Sequence, residues 1–415
     1  MGTNYNPQIV TSGLILSLDP ANSKSYDPTT NLFTYSEAFG NAAWSKGNLT
    51  VTSNAITGPT VNGVTLVADK LVETAISGQH LISQNPYTAA VGDVNTISVY
   101  AKAGERTQLT ITSQGEGYVV FNLDTGTIYQ TGGEAASIEY AGGGWYRCRA
   151  TITENEAASS MWYIGMWKNN TNVYLGTLTQ GLYVAGAQFE RNRNALSPYT
   201  KTVASTVAAS TTLTDMSGNS NNGTLSNVSF TDSPDYFGFT STATSTISLG
   251  TVLNYTTQDF SFSYWIYLDS YTTSNGVQGP VPFFKGAYHQ NGYYCQIATN
   301  GAITFQTNQS GANQLSNTAA GTLPLTTWKN ICITRSGASA KIYINGIDST
   351  TVSGTHINPA SSSEIFRIGS YNQTSGGVFT IYGNMRISNF TGYNTALTAD
   401  QVLQNFNALR GRYGI

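Results

Sequence analysis

The chain has 415 residues, enough for two or three ordinary domains, and a formal net charge of −3 without any run of lysine or arginine. Because nucleic-acid binding needs a positive field, this charge balance argues against a nucleic-acid partner. Only 10% of the residues are charged whereas 40% are hydrophobic, which predicts a packed core under a surface of hydroxyl and amide groups and excludes a disordered chain.

The first predicted element is a half-buried strand near the N-terminus. Residues 14–19 read Leu-Ile-Leu-Ser-Leu-Asp, with leucine at every second position, and residues 19–22, Asp-Pro-Ala-Asn, supply a turn that ends the strand. A single strand cannot bury its apolar face alone. We therefore expect it to pair with a sheet formed by residues much later in the chain.

Neither targeting nor membrane insertion is predicted. Residues 1–8 contain no basic segment and no apolar segment, so a secretory signal is not expected. No apolar stretch approaches the roughly 18 residues that a membrane-spanning helix needs.

Residues 31–203 are predicted to form a separate β domain. Its strand candidates are residues 96–101, 107–112, 118–123, 145–152, 161–167 and 181–189. The turn at residues 124–127, Asp-Thr-Gly-Thr, joins two of them. The motifs at residues 98–104, 121–126, 144–148 and 186–190 resemble a jelly-roll module of phage tail and structural proteins, which is itself similar to carbohydrate-binding domains of glycoside hydrolases. The resemblance implies sugar binding or scaffolding.

Residues 8–30 and 204–415 are predicted to form the other domain. Residues 259–268 alternate between apolar and polar, Asn345-Gly346 suits a type I′ turn, and Thr398 with Gln401 makes a capping box before an apolar stripe at residues 402, 403, 406 and 409. The motifs at residues 12–26 and 212–225, with those at 328–348, 366–370 and 393–414, resemble the laminin-G-like (concanavalin A-like lectin/glucanase) jelly roll found in many bacteriophage virion proteins.

In that family a short loop joins the first two motifs, so the resemblance implies that residues 31–203 are an insertion in the loop. Residues 200–212, rich in Thr, Ala and Ser, have the composition of a linker back to the first domain. The predicted fold class is all-β: two antiparallel jelly-roll β-sandwiches, the second inserted into the first, with one short C-terminal helix.

No enzymatic activity is predicted. Glycoside hydrolases of this fold need two carboxylates at a matched separation, and Glu134 and Glu139 flank an apolar stretch at the wrong spacing. The histidines, His80, His289 and His356, form neither a metal pair nor a nucleophile motif, although a triad is recognised only by geometry. The cysteines are predicted to be buried apolar residues; they are Cys148, Cys295 and Cys332.

Two segments are candidates for glycan binding, which needs exposed aromatic faces beside amide or carboxylate groups. In residues 161–170, Tyr163 and Trp167 lie on one face of the predicted strand and Trp162, Ile164 and Met166 on the other. If the second face is core, the first could meet a sugar. The other candidate is the loop that contains Tyr288, His289 and Tyr293. Ordinary sandwich packing and a subunit interface are alternatives at both places.

Calcium is left open as a ligand, because many laminin-G-like domains hold it through loop oxygens. The candidates are Asp215, Asn219 and Asn221, in a loop that is not an EF-hand since it has no Gly at the sixth position and no closing Glu. Asp and Asn at such positions also form Asx turns, which need no metal.

The resemblance implies a bacteriophage virion protein, assembled in the host cytoplasm and displayed on the virion surface. One hypothesis is a fibre, spike or adhesin component that binds host-surface polysaccharide. The alternative is a purely architectural capsid decoration or accessory tail protein, whose partners are other virion proteins. Because no heptad run or repeat appears, a compact module is favoured over a long fibre. A homotrimer is suggested by analogy with phage appendages, with no residue to argue for it.

Overall fold

A computed structural model describes residues 8–22, 24–27, 30–115, 117–155, 161–191, 193–194, 196–231, 235–242, 244–276, 278–309, 312–373 and 379–415. The first strand is β1 (Leu14–Leu18). The strands of the middle segment are β2 (Ser45–Gly47), β3 (Leu49–Val61), β4 (Val64–Glu73), β5 (Ser77–Gln79), β6 (Leu81–Gln84), β7 (Val94–Lys102), β8 (Gln108–Ser113), β9 (Tyr118–Asn122), β10 (Thr127–Thr131), β11 (Ala135–Gly142), β12 (Trp145–Thr153), β13 (Trp162–Met166), β14 (Val173–Leu175) and β15 (Gly181–Arg191).

The remaining elements are β16 (Thr212–Leu213), β17 (Gly223–Ser226), β18 (Ser229–Thr231), β19 (Tyr236–Phe239), β20 (Thr246–Ser248), β21 (Phe260–Thr273), β22 (Phe283–Ala287), β23 (Asn291–Ile297), β24 (Ile303–Gln309), β25 (Ala312–Thr318), β26 (Lys329–Ser336), β27 (Ser339–Ile344), β28 (Ile347–Asp348), β29 (Thr350–Ser353), β30 (Arg367–Ile368), β31 (Ser370–Gln373), β32 (Phe379–Tyr393), helix α1 (Ala399–Leu409) and a 3₁₀ turn (Arg410–Tyr413). Among the described residues, no helix has the length and apolarity to cross a membrane.

The chain forms two compact units. The first combines Met1–Asp27 with Ser210–Ile415, and the second is Pro28–Ala209. Both are antiparallel jelly-roll sandwiches, the second inserted into the first, so the predicted fold class is confirmed. The junctions of these units lie a few residues from the bounds predicted for the domains.

The first sandwich consists of two antiparallel sheets. One has the strand order β18-β19-β32-β21-β26-β27-β28, with β1 and β31 also paired to β32, and the other runs β16-β17-β20-β30-β22-β23-β24-β25-β29. In β1, Leu16 pairs with Gly392 and Leu18 with Phe390. The expected pairing of the N-terminal strand with residues late in the chain is thus confirmed.

The first half of strand β21, residues 260–266, is buried on both faces. Its predicted apolar face, which includes Phe260 and Phe262, lies in the core between the two sheets. The opposite face is covered as well, because the ring of Trp265 stacks on Tyr413 with centroids 4.0 Å apart and on Phe406 of α1 at 5.8 Å. The C-terminal helix therefore closes the outer side of this sheet.

The capping box of α1 forms as predicted. The Thr398 hydroxyl accepts a hydrogen bond from the Gln401 backbone N–H, and the Gln401 side chain accepts one from the Thr398 N–H. In the predicted apolar stripe, Val402 and Phe406 are buried, but Leu403 is exposed. The Asn345-Gly346 turn also forms, with positive φ at both residues, 50° and 82°.

The second unit is a sandwich of two antiparallel sheets, β10-β9-β8-β13-β6-β2 and β11-β12-β7-β15-β4-β3. Large side chains from both sheets, among them Phe121, Trp162 and Phe189, fill its core together with Trp44, which precedes β2. The cysteines of both units, Cys148, Cys295 and Cys332, are fully buried as predicted. Burial raises the pKa of the Cys295 thiol to about 12.

Candidate functional site

The strand that carries Tyr163 divides its side chains between core and surface as the pattern predicts. In β13, Trp162 and Ile164 are fully buried, whereas Tyr163 lies on the opposite face and is partly exposed. Trp167 differs from expectation, because only 9% of it is exposed. The ring of Tyr118 stacks on the indole with centroids 5.5 Å apart and an angle of 14°. Trp167 therefore offers little free ring surface.

A cavity of about 470 Å³ lies at the end of this strand. Its volume is within the range of about 300–1,000 Å³ that is typical of small-molecule sites. The lining residues are Glu105, Arg106, Thr107, Gln108, Tyr129, Trp167, Lys168, Asn169 and Asn170. Trp167 thus belongs to the cavity wall, while Tyr163 does not. We call this feature the Trp167 cavity.

A tight turn builds one wall of the Trp167 cavity. The backbone N–H of Lys168 donates to the Thr171 carbonyl at 2.9 Å, and the Thr171 N–H donates back to the Lys168 carbonyl at 3.1 Å. Asn169 and Asn170, between them, have φ values of 52° and 63°. A two-residue type I′ turn needs positive φ at both central residues, and Asn tolerates this conformation better than most residues. The turn therefore holds two amide side chains at the cavity.

Tyr129 reaches the Trp167 cavity because of a β-bulge. In the β9–β10 pair, Ile128 lies opposite Phe121 and Gln130 opposite Val120, so that Tyr129 is the extra residue between them. A bulge redirects the side chain of the residue that it inserts. The Tyr129 hydroxyl donates to Asn170 Oδ1, and 45% of the tyrosine remains exposed.

A buried ion pair holds Arg106, one of the residues that line the Trp167 cavity. The carboxylate of Glu73 accepts from Arg106 Nε at 2.6 Å and Nη2 at 2.8 Å, and also from the Tyr174 hydroxyl and the Thr177 N–H. Although burial raises the pKa of Glu73, these hydrogen bonds lower it by more, and the net pKa lies below its ordinary value. Glu73 is therefore ionised at neutral pH and holds Arg106 in place.

The second predicted glycan segment is divided between core and surface. Tyr293 is fully buried and its hydroxyl donates to the Leu253 carbonyl at 2.6 Å. The prediction of Tyr293 as a contact residue is therefore wrong, because its position in β23 points into the sandwich. Tyr288 and His289 lie in the hairpin between β22 and β23, where their rings stack with centroids 3.9 Å apart, and Tyr288 is 46% exposed.

The loop proposed for calcium has a geometry that does not fit a cation. The Asp215 carboxylate accepts from the backbone N–H groups of Ser17, Ser217 and Asn221 at 2.8–3.0 Å and from the Ser217 hydroxyl at 2.8 Å. The Asn219 and Asn221 amides donate to the β1 carbonyls of Leu14 and Ile15. Calcium requires oxygen ligands, whereas this carboxylate is surrounded by hydrogen-bond donors. Asp215, Asn219 and Asn221 instead attach β1 to the loop.

This role predicts the effect of replacing Asp215. In Asp215→Asn, one oxygen becomes an NH₂ group that faces N–H donors, so the free energy of unfolding should fall by about 2 kcal/mol. Urea denaturation measures the change, and added calcium should not restore it. Asp124→Asn, at an exposed turn of the second sandwich, is the matched control and should leave stability unchanged. An Asp215→Asn protein as stable as the wild type would contradict this role.

The two buried histidines, His80 and His356, form hydrogen bonds within the core of the protein. His80 contacts the Asn48 and Tyr174 carbonyl oxygens. His356 Nε2 lies 2.8 Å from the Ser316 hydroxyl and its Nδ1 3.0 Å from the Thr307 hydroxyl, all fully buried or nearly so. A serine–histidine pair away from solvent cannot reach a substrate. Within the described ranges, no three His, Cys, Asp or Glu residues are grouped to hold a metal ion.

The solved structures that are similar to this chain include binding domains of toxins. The binding domain of Paraclostridial Mosquitocidal Protein 1 is 18% identical with a TM-score of 0.39 and coverage of 47% of this chain and 49% of that one. Botulinum neurotoxin type C, whose cell entry depends upon interaction with two ganglioside molecules, is 22% identical with a TM-score of 0.37 and coverage of 48% and 49%. The botulinum neurotoxin DC binding domain in complex with rat synaptotagmin II is 20% identical, with a TM-score of 0.38 and the same coverage.

The chain thus spans about half the length of these structures. No curated protein sequence matches it. Residues 240–403 match the family model described as the concanavalin A-like lectin/glucanases superfamily. This matched segment lies within the first sandwich and is similar to the laminin-G-like domains of that superfamily.

Proposed function

We propose that this protein binds glycans without enzymatic activity and that the Trp167 cavity is its sugar site. The observation that carries the proposal is the convergence of aromatic and amide side chains on one cavity of about 470 Å³. Sugars present apolar C–H faces that pack on aromatic rings, and hydroxyl groups that hydrogen-bond to amides. Tyr129, 45% exposed, is the accessible aromatic residue of the wall, and Gln108, Asn169 and Asn170 supply the amides.

The Trp167 cavity supports the proposal better than the hairpin of Tyr288 and His289. The hairpin offers one stacked pair of which only Tyr288 is exposed, and its third predicted member, Tyr293, is buried. The cavity is also held rigidly, by the type I′ turn and by the Glu73–Arg106 pair. Rigid side chains lose less entropy on binding, which favours affinity.

A glycan array tests the proposal. We expect the wild-type protein to bind selected glycans and Tyr129→Ala to bind them about tenfold more weakly, because an exposed ring that contacts the ligand is removed. Tyr140→Ala is the matched control, since Tyr140 is also an exposed tyrosine, 67% accessible, but lies on β11 of the other sheet. The proposal is overturned if the wild-type protein binds no glycan on the array, or if Tyr129→Ala and Tyr140→Ala lose the same amount of affinity.

The biological setting that we propose is the surface of a bacteriophage virion, where the chain would act as a fibre, spike or adhesin component toward host-surface polysaccharide. Its support is the resemblance of the split motifs at residues 12–26 and 212–225 to laminin-G-like modules of virion proteins. Other virion proteins would be its assembly partners. A trimeric state rests on analogy with phage appendages alone.

The architectural alternative also has an observation in its favour. Four apolar side chains near the β5–β14 ribbon, Ile76, Val173, Leu175 and Leu178, are each more than half exposed. Neighbouring exposed apolar residues are typical of protein–protein contacts. Cryo-EM of intact particles distinguishes the two roles. If this ribbon is buried against other virion proteins and the protein binds no glycan on the array, the architectural role is favoured.

A further inference from the structure

We propose that the Trp167 cavity selects glycans that carry an anionic substituent, a carboxylate or a phosphate, and that Lys168 is the residue that recognises it. This inference rests on the proposed function, since it names the ligand class of the same cavity. Its basis is the charge balance among the residues that line the cavity and those that contact them.

Two of the three charged residues in the cavity wall are neutralised by partners. Arg106 forms its two-pronged ion pair with Glu73, whose side chain is fully buried. Glu105 forms an ion pair of 2.8 Å with Lys70 and also accepts from the Gly181 N–H. These two ion pairs contribute no net charge to the cavity.

The third charged residue, Lys168, has no such partner. Across the part of the chain that the structure describes, no carboxylate lies within ion-pair distance of its ammonium group. Its Nζ instead lies over the ring of Tyr174, 5.3 Å from the ring centroid. The Trp167 cavity therefore carries one uncompensated positive charge, although the whole chain has a net charge of −3.

The position of Lys168 makes this charge useful for recognition. The residue begins the type I′ turn, so its backbone is fixed by reciprocal hydrogen bonds with Thr171. The adjoining Asn169 and Asn170 lie in the same wall and can hydrogen-bond to sugar hydroxyls. An ammonium group acts as a point charge that suits either a carboxylate or a phosphate. A neutral sugar would use the amides and the ring but leave the ammonium group unpaired.

The test uses matched saccharide pairs on the full chain. Oligosaccharides containing glucuronate are compared with their methyl esters, and sugar phosphates with the unphosphorylated sugars, at low and high salt. We expect at least one anionic member to bind about tenfold more tightly than its neutral counterpart. The preference should shrink at high salt, because ion pairs at exposed sites are screened. Preference within the glucuronate pairs or within the phosphate pairs identifies the group recognised.

Variants assign the preference to Lys168. Lys168→Gln should lose the preference and retain binding to the neutral members, whereas Lys24→Gln, at an exposed lysine of the other unit, should retain both. Melting temperatures check that both variants fold. If anionic and neutral members bind equally and Tyr129→Ala loses this binding, the charge preference is overturned. The proposal that the cavity binds glycans then still stands. If Lys168→Gln keeps the preference for the anionic members, the role of Lys168 is also overturned. If no saccharide binds at all, both proposals are overturned.

Discussion

Replacing Arg106 with methionine is expected to lower the free energy of unfolding by about 3–5 kcal/mol, because it leaves the buried Glu73 carboxylate without its cation. The Glu73 side chain is completely buried and that of Arg106 is 12% exposed. After the change, the donors that remain to the carboxylate among the described residues are the Tyr174 hydroxyl and the Thr177 N–H. Urea denaturation, followed by a probe of the second sandwich, measures the loss.

The chain provides a matched control for this substitution. Arg386 forms an equally short ion pair with Asp269, but both side chains are about one third exposed. Water solvates Asp269 when its partner is removed, so Arg386→Met should cost about 1 kcal/mol or less. The double variant Glu73→Gln/Arg106→Met should lose less stability than the two single changes added together, because the residues are coupled. Equal losses in Arg106→Met and Arg386→Met would contradict the role of burial.

The stability of the first sandwich is expected to fall by roughly 3 kcal/mol between pH 6.5 and pH 4 because of His356. Burial, followed by the nearby Arg335 guanidinium, lowers the pKa of His356 from 6.5 to about 4. Between these values the unfolded chain takes up a proton that the folded chain does not. The contribution of His356 is therefore complete above pH 6.5 and is lost progressively as the pH falls toward 4.

The His356 contribution is measured as a difference between proteins, since carboxylates titrate in the same pH range. Urea denaturation of wild type and His356→Gln from pH 4 to pH 7 should show a steeper loss toward acid in the wild type. His289→Gln, in the hairpin between β22 and β23, removes a histidine outside the core and is measured in parallel as the control. Parallel stability curves for wild type and His356→Gln would exclude the buried histidine as the source of the pH dependence.

The elements with strict periodicity could be predicted from sequence. The alternating leucines of residues 14–18 and the capping box of Thr398 and Gln401 have local causes, and both are found in the structure. The alternation in residues 161–167 likewise identified Trp162 as core and Tyr163 as surface. Local hydrogen bonding and side-chain direction decide these features, so the sequence contains the required information.

The candidate site depended on features that periodicity does not encode. Tyr129 reaches the Trp167 cavity because a bulge interrupts the β9–β10 register, and a bulge leaves no alternation signal. Tyr118 covers Trp167 from a strand more than forty positions earlier. Tyr293 looked exposed because it lies in a polar loop sequence, yet pairing of β22 with β23 turns it into the core. Strand register and pairing, which side-chain periodicity does not specify, decided all three positions.

A crystal structure with an oligosaccharide bound tests the sugar site most directly. The ligand is chosen from the glycan array, and the wild-type chain is used. We expect a sugar ring in the cavity between Tyr129, Trp167 and Asn170, with its anionic group beside Lys168. A sugar bound elsewhere, for example on the Tyr288–His289 hairpin, with this cavity filled only by solvent would contradict the assignment.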